Sequence, residues 1–485
     1  MSGSLTRRVA QNAFWLFGGS ALAKLFDFVL VIYLARTLTA AGFGLLSVAQ
    51  AVLLYLLLII DSGTALQGAK EIARRPADVS LVSSNLLALR LLLALIVFIL
   101  ASAGLSWLPL AADLKSLLLI SFLLVFAKAL TVDWVFQGLE QMGYVALFRV
   151  VQQLLSFGLI LLFIKSASAL LLVPGLQLAG AMISALLLLL IMFWRFAPFS
   201  LAILQPRLWR TYLAAALPLG ASAIFMQIYY NLDVIMLGIM QRPEIVGWYS
   251  AAYKVFFLFL GTMGVLSAAV FPIVCHKFAQ DRAGAVSFLN KYAHLLLLVF
   301  IPIVVLGMIC AEPAMRLLFG GQYAAGSLAL KILLLNILII TGSGIYGSLV
   351  LVPTGRNKAF MISVGLGAVC NIALNLWLIP AFSLNGAAGA TLVTELIVLG
   401  AFYYWARREL SIDWLSLVYR PGVAALLAVL VVQISAALVP ASSWRYLLVT
   451  APVFSATYLL VLGLTGEQKF IWGFISELMV VGKLK

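Results

Sequence analysis

Charge is what this sequence has least of. Only 10% of its 485 residues are charged, against roughly 25% in soluble domains. Acids are scarcest, with 16 Asp+Glu against 31 Lys+Arg and a net charge of +15. A soluble fold covers its apolar core with charge, and this chain has too little for that. A soluble enzyme, a disordered protein and a collagen-like fibre are excluded. Cysteine is also rare. Cys275, Cys310 and Cys370 are odd in number and lack metal spacing, so free thiols are expected. The two histidines, His276 and His294, form no ligand pattern. Walker, nucleophile-elbow and zincin motifs are absent. The expectation is a protein without enzymatic activity, cofactor or metal. The N-terminus carries Arg7 and Arg8, then an apolar run interrupted by Lys24 and Asp27. It lacks an A-x-A-like cleavage site, so the first helix is expected to stay.

What is abundant is apolar: 65% of the residues, with a mean hydropathy of +1.15. A bilayer core needs about 20 apolar residues per spanning helix. Apolar runs place spans at 14–35, 42–60, 83–104, 114–136, 143–164, 168–194, 211–239, 247–274, 291–311, 325–352, 358–379, 385–405, 418–439 and 444–464. The fold class is therefore an all-α polytopic membrane protein of about 14 helices. With an even number of spans, both termini share one side. Nineteen basic residues fall in loops on that side. Six fall opposite: Arg36, Lys115, Lys165, Arg242, Arg316 and Arg445. The positive-inside rule makes the termini cytoplasmic. The +15 is then a topology signal and says nothing of nucleic acid. The tail 466–485 mixes Phe470, Trp472, Phe474 and Ile475 with Lys469, Lys483 and Lys485. It reads either as an interfacial helix or as a solvated tail.

The second helix begins Gly42-Phe43-Gly44 and the eighth Gly247-Trp248-Tyr249. Each follows a helix with an internal acid, Asp27 or Asp233. The offset of six helices with unchanged sidedness makes the halves parallel repeats around a central cavity. The organisation expected is an N-terminal six-helix lobe at 1–195 and a cytoplasmic linker at 196–210. A second six-helix lobe at 211–408, two added helices at 409–465 and the tail at 466–485 follow.

Six cations lie within the spans: Lys24, Arg90, Lys128, Arg149, Lys254 and Lys331. Five acids lie there or at a rim: Asp27, Asp61, Asp133, Asp233 and Glu395. Each such charge costs about 3 kcal/mol or more unless it faces a bundle interior or wet cavity. Ser20, Lys24 and Asp27 share one helix face, and Lys24 and Asp27 either pair or face the cavity. Arg149, Gln152, Gln153 and Ser156 form a polar stripe. Gly247, Ser250, Lys254 and Gly261 line one side of the eighth helix. The seventh carries Tyr229, Tyr230, Asn231 and Asp233. Asn371 with Asn375, and Thr391 with Glu395, share faces. These polar residues either join helices or line a cavity. Arg149 and Lys254 have no carboxylate one turn away, so both favour a cavity that receives an anion such as a phosphate, diphosphate or carboxylate. Arg90, Lys24, Gln152 and Gln153 are the further candidates for that site. Asp233, Asp27 and Glu395 are candidates for binding a coupling H+ or Na+. Gly342, Gly344 and Gly347 spell G-x-G-x-x-G inside a span, where close helix packing or a flexible break is expected, not a dinucleotide.

Val246-Gly247-Trp248-Tyr249-Ser250-Ala251-Ala252-Tyr253-Lys254 resembles the G-x-Y-S-x-A-x-K segment of bacterial polysaccharide and O-antigen flippases. Leu318-Phe319-Gly320-Gly321-Gln322-Tyr323 is similar to their L-F-G-x-x-Y segment. Gly355-Arg356-Asn357-Lys358, Asn371, Asn375, Ile379-Pro380 and Gly386-Ala387-Ala388-Gly389-Ala390-Thr391 follow in the family's order, and Arg36 with Ala41-Gly42-Phe43-Gly44 fits in the first half. The resemblance spans nearly the whole chain. It implies the multidrug/oligosaccharidyl-lipid/polysaccharide exporter superfamily, with two six-helix lobes and two extra helices. The implied role is to flip a lipid-linked oligosaccharide on undecaprenyl diphosphate across the bacterial inner membrane, for O-antigen or exopolysaccharide synthesis. A cationic cavity, an ion gradient and alternating access are implied with it. Glycan polymerase and glycosyltransferases are the expected working partners, beside the lipid bilayer. The alternative is cation-coupled drug efflux on the same fold, which predicts an acidic cavity. A membrane glycosyltransferase would need a large outer loop or an acidic cluster, and the chain has neither.

Overall fold

The computed structural model describes residues 2–196, 203–436 and 444–483, which are helical with no strand. The first span lies in α1 (Ser2–Thr37). The second is two helices, α2 (Ala40–Asp61) and α3 (Thr64–Arg74). They part at Ser62 and Gly63, whose φ of 42° and 79° no right-handed helix allows. Then come α4 (Val79–Trp107), and a fourth span in three pieces: α5 (Ala112–Phe122), α6 (Leu124–Leu130) and α7 (Asp133–Gly138). Next are α8 (Met142–Phe163), α9 (Leu172–Arg195), α10 (Pro206–Met240), α11 (Pro243–Gln280) and α12 (Arg282–Phe319). The chain ends with α13 (Ser327–Tyr346), α14 (Asn357–Ala406), α15 (Trp414–Ala436), α16 (Trp444–Leu464) and α17 (Glu467–Lys483).

Among the described residues, 11 helical segments are long and apolar enough to cross a membrane. All fourteen expected spans fall on helix, to within a few residues at their ends, except 437–439, which lie outside the described residues, as do 197–202 of the linker. One element, α14, holds two spans. They meet at Ser383, where φ 55° and ψ −133° break the helix. The packing divides into two compact units, Met1–Gly238 and Ile239–Lys485.

In the first unit, α3 and α7 pack close because glycine allows it. A Cβ on Gly68 would sit 2.5 Å from the Trp134 ring, and one on Gly138 would sit 2.8 Å from the Ala69 carbonyl. Trp134 and Phe136 are buried there with Leu86 and Ile72. Buried Asn85 fastens the chain leading into α10. Its Nδ2 donates to the carbonyls of Leu81 (2.9 Å) and Ile203 (3.0 Å). Its Oδ1 accepts from the Gln205 amide (2.7 Å) and Trp209 Nε1 (3.1 Å).

In the second unit, α13 packs on α14 through the glycines of the G-x-G-x-x-G string. A Cβ on Gly342 would lie 3.0 Å from Leu399, and one on Gly347 would lie 2.7 Å from the Phe402 ring. The next turn, Gly347–Leu351, is a π-helix. The corner before the last span of α14 is tighter still. Gln241 Nε2 donates to the Ile379 carbonyl (3.2 Å), and a Cβ on Gly386 would sit 2.0 Å from the Leu378 carbonyl. Backbone cannot yield as a side-chain tip can. Gly386→Ala is therefore expected to cost at least about 1–3 kcal/mol, the usual price of overpacking. A lower melting temperature of the purified variant would register it, and an unchanged one would refute the contact.

The tail is a helix docked on its own unit. Phe470 stacks edge-on to His294 (4.7 Å), and Phe474 lies 5.4 Å from Phe288. Glu467, 2% exposed, accepts hydrogen bonds from His294 Nε2 and from Arg420 Nη1, each at 2.8 Å. Burial pushes the Glu467 carboxyl up, but the bonds from Arg420 and His294 outweigh it and hold it below its ordinary value. A depressed folded pKa means stabilisation that is complete above the ordinary glutamate range. It is lost as pH falls through the depressed value. Protease cleavage within 467–483 is thus expected to accelerate progressively as pH falls below the ordinary glutamate range. Equal cleavage at pH 7 and pH 3.5 would contradict this.

Candidate functional site

The breaks in the second and fourth spans are where charge gathers in the first unit. Unwinding at Thr131 and Val132 frees carbonyls of α6 and lets Asp133 start α7, with its Oδ1 accepting the Trp134 amide at 3.0 Å. Arg90, on unbroken α4, is fully buried. Its Nη2 donates to the Lys128 carbonyl at 3.1 Å and lies 3.6 Å from Asp61 Oδ1. One guanidinium thereby ties the end of α2 to the end of α6. Its Nε and Nη1 have no hydrogen-bond partner. Both contacts come from the one Nη2 nitrogen.

Beside this pair, Asp133, Arg149, Gln152, Thr131 and Ser184 line a pocket of about 60 Å³. A water needs at least about 10–15 Å³ of such space, so the pocket suits a few waters or one small ion. It is far too small for a sugar diphosphate. Arg149 and Gln152 are nevertheless exposed overall, and Gln153 is half-buried. The stripe thus has one edge on the pocket and one edge outside it. Lys24 and Asp27 are exposed and no ion pair joins them. The side chains of Ser20 and Tyr229 lie outside the described residues.

Asp233 is buried in the first unit, its Oδ1 accepting the Val234 amide at 2.9 Å. Nearby, Tyr55 Oη donates to the Gln227 carbonyl at 3.0 Å and Asn231 Nδ2 donates to Gln227 Oε1 at 2.6 Å. This joins α10 to α2.

In the second unit, Lys254 is half-buried on α11, next to the stacked pair Tyr249 and Tyr253. Buried Glu395 on α14 accepts a hydrogen bond from Ser343 Oγ on α13. Asn375 Nδ2 donates to Asn371 Oδ1 at 3.0 Å, and Thr391 Oγ1 donates to the Ala387 carbonyl at 3.1 Å. Among the described residues, no group of three His, Cys, Asp or Glu could hold a metal.

The residues that carry the resemblance are structural corners. Arg356 Nη1 donates to the Trp405 carbonyl (2.8 Å), and Nη2 pairs with Glu409 (2.5 Å), which Arg282 also meets. Tyr323 is fully buried, and a Cβ on Gly326 would come within 2.7 Å of the Trp248 carbonyl. The turn Gly321–Gly326 therefore sits on the start of α11.

Residues 9–276, more than half of the chain, match the family described as "Polysaccharide biosynthesis protein". The chain belongs to this polysaccharide biosynthesis family. Within that family's reach lie two relatives named "Putative O-antigen transporter". The one from Shigella dysenteriae is 25% identical over 394 residues, 80% of this chain and 98% of that protein. The one from Escherichia coli K12 is 23% identical over 387 residues, 78% of this chain and 91% of that protein. Among solved structures, the lipid II flippase MurJ in an inward closed conformation shares the fold. Its TM-score is 0.75 at 15% identity, covering 95% of this chain and all of that one. An outward-facing multidrug-resistance MATE transporter gives 0.60 at 14% identity, covering 83% and 95%. The protein is thus a multi-pass membrane member of the polysaccharide biosynthesis family, with a fold shared by those two solved transporters.

Sequence reasoning missed the Arg90–Asp61 tie, the pocket at Asp133 and the Glu467 cluster. Each brings together residues from different helices, so no spacing within one helix could reveal it. The two charges Arg90 and Asp61 were visible singly, but not their partnership.

Proposed function

We propose that the protein is an inner-membrane flippase that carries a lipid-linked oligosaccharide from the cytoplasmic to the outer leaflet. The carrier lipid is undecaprenyl diphosphate and the product serves O-antigen or exopolysaccharide synthesis. The observation that carries this reading is family membership joined to cations exposed or half-buried within spans. In the first unit Arg149, with Gln152 and Gln153 beside it, supplies charge and amides suited to a diphosphate sugar. In the second, Lys254 supplies a point charge. Lys24 is a further exposed cation. Arg90, wholly enclosed, acts on the cargo only through the positions of Asp61 and α6. The protein performs no covalent chemistry in this reading. Both termini are cytoplasmic, following the loop charges.

Transport is by alternating access of two parallel lobes, driven by an H+ or Na+ gradient. Glu395 and Asp233 are buried carboxylates whose charge changes on taking up a proton or ion, a way to bias two conformations. Asp27, exposed, is a third candidate. Polymerase and glycosyltransferases act before and after the flip. Reconstitution into vesicles tests the reading: labelled lipid-diphosphate oligosaccharide should become accessible to an external reagent. No translocation there, beside brisk uptake of a cationic dye, would favour drug efflux.

A further inference from the structure

Where α12, α15 and α17 meet, a groove of about 610 Å³ opens in the second unit. That lies within the range of about 300–1,000 Å³ typical of small-molecule sites. Its floor is the buried Glu467 held by His294 and Arg420. Arg420 spends one of its donors on Glu467, and its side chain is 58% exposed to the groove side. Asp413 also lines the groove and is exposed, and its Oδ1 accepts the Ser416 amide at 3.3 Å. The rim is apolar, with Leu415 and Tyr419 strongly exposed. They stand at the first turns of a helix that enters the bilayer.

We propose that this groove binds the headgroup of a bilayer phospholipid that carries a phosphate and a primary ammonium. Arg420 takes the phosphate through its free N–H groups, and Asp413 accepts from the ammonium. The charge balance selects this occupant. Glu467 is already met by Arg420 and His294, whereas no cation pairs with Asp413 among the described residues, so a purely anionic headgroup would meet an uncompensated carboxylate. A zwitterion brings the cation that balances it. A quaternary ammonium carries no N–H to donate to Asp413, so a primary amine is preferred. Leu415 and Tyr419 lie where acyl chains and the glycerol region would rest. The bound lipid would cover the cluster that docks α17. This inference is independent of the cargo.

The test uses the purified full chain in detergent with equal amounts of phosphatidylethanolamine, phosphatidylcholine and phosphatidylglycerol of matched acyl chains. Native mass spectrometry reads which lipids stay bound. The wild-type chain is expected to retain phosphatidylethanolamine about two- to fivefold over the other two, the range for a partly exposed ion pair. Asp413→Asn and Asp413→Ser both keep a side-chain cap on α15 and should erase that preference. Arg420→Gln should lower retention of all three. Equal retention by the wild-type chain would overturn the proposal. So would an unchanged preference in both Asp413 variants, or unchanged binding in Arg420→Gln.

Discussion

Lys254→Glu and Arg149→Glu are each expected to abolish surface glycan while the protein still inserts in the membrane. A unit ion pair 4 Å apart is worth about 4 kcal/mol at an effective dielectric of about 20. Solvent screens part of that at exposed Arg149. Reversal removes the attraction and replaces it with repulsion, so a fall of at least about tenfold in transport is expected at either site. Lys254→Arg keeps the charge and should retain most activity. Arg149→Lys keeps charge but loses the planar fork, so an intermediate loss is expected. Immunoblotting of membranes controls for insertion, and glycan staining reads the outcome. Normal glycan in both reversals would refute the assignment of these cations to cargo.

Arg90→Ala is expected to cost stability, not merely transport. The guanidinium is fully buried between Asp61 and the Lys128 carbonyl. Removing one partner of a buried pair leaves the other charge without compensation, at about 3–5 kcal/mol. Asp61 retains some exposure, 28%, which places the expected loss at the lower end. The observable is a marked fall in folded yield and melting temperature in detergent. Arg90→Lys is expected to rescue only in part, because the shorter side chain sets its ammonium short of the position of Nη2. Restoring stability with Asp61→Asn on the Arg90→Ala background would show that the stranded carboxylate is the cause. Wild-type yield and melting temperature in Arg90→Ala would discard the account.

These two experiments separate two kinds of intramembrane charge that look alike in one dimension. Arg90 and Arg149 both sit in apolar helices without a carboxylate one turn away. Arg90 is sealed inside its unit, while Arg149 reaches an exposed surface as well as the pocket with Asp133. The glycines divide similarly. The string Gly342, Gly344 and Gly347 announces close packing by its location in a span. Only coordinates show that Gly347 meets Phe402, while Gly344 has nothing nearer than 4.0 Å.

By itself the sequence determined the solvent and the helices. Apolar run length, scarce charge and lopsided loops are local properties, and continuous apolar runs of about 20 residues satisfy their backbone in lipid as helices. The family was also legible, because the segments around Tyr323, Arg356 and Gly386 follow its motifs in a fixed order. The tertiary structure alone decided which charges pair. Asp61 finds Arg90, Glu467 finds Arg420 and His294, and Ser343 finds Glu395, each across helices far apart in the chain. It also placed the break at Thr131 and Val132, inside the run 114–136 that the sequence reads as one span. The physical reason is one of range. Hydropathy sums over neighbours in sequence, while charge pairing in a low-dielectric interior depends on distance in space.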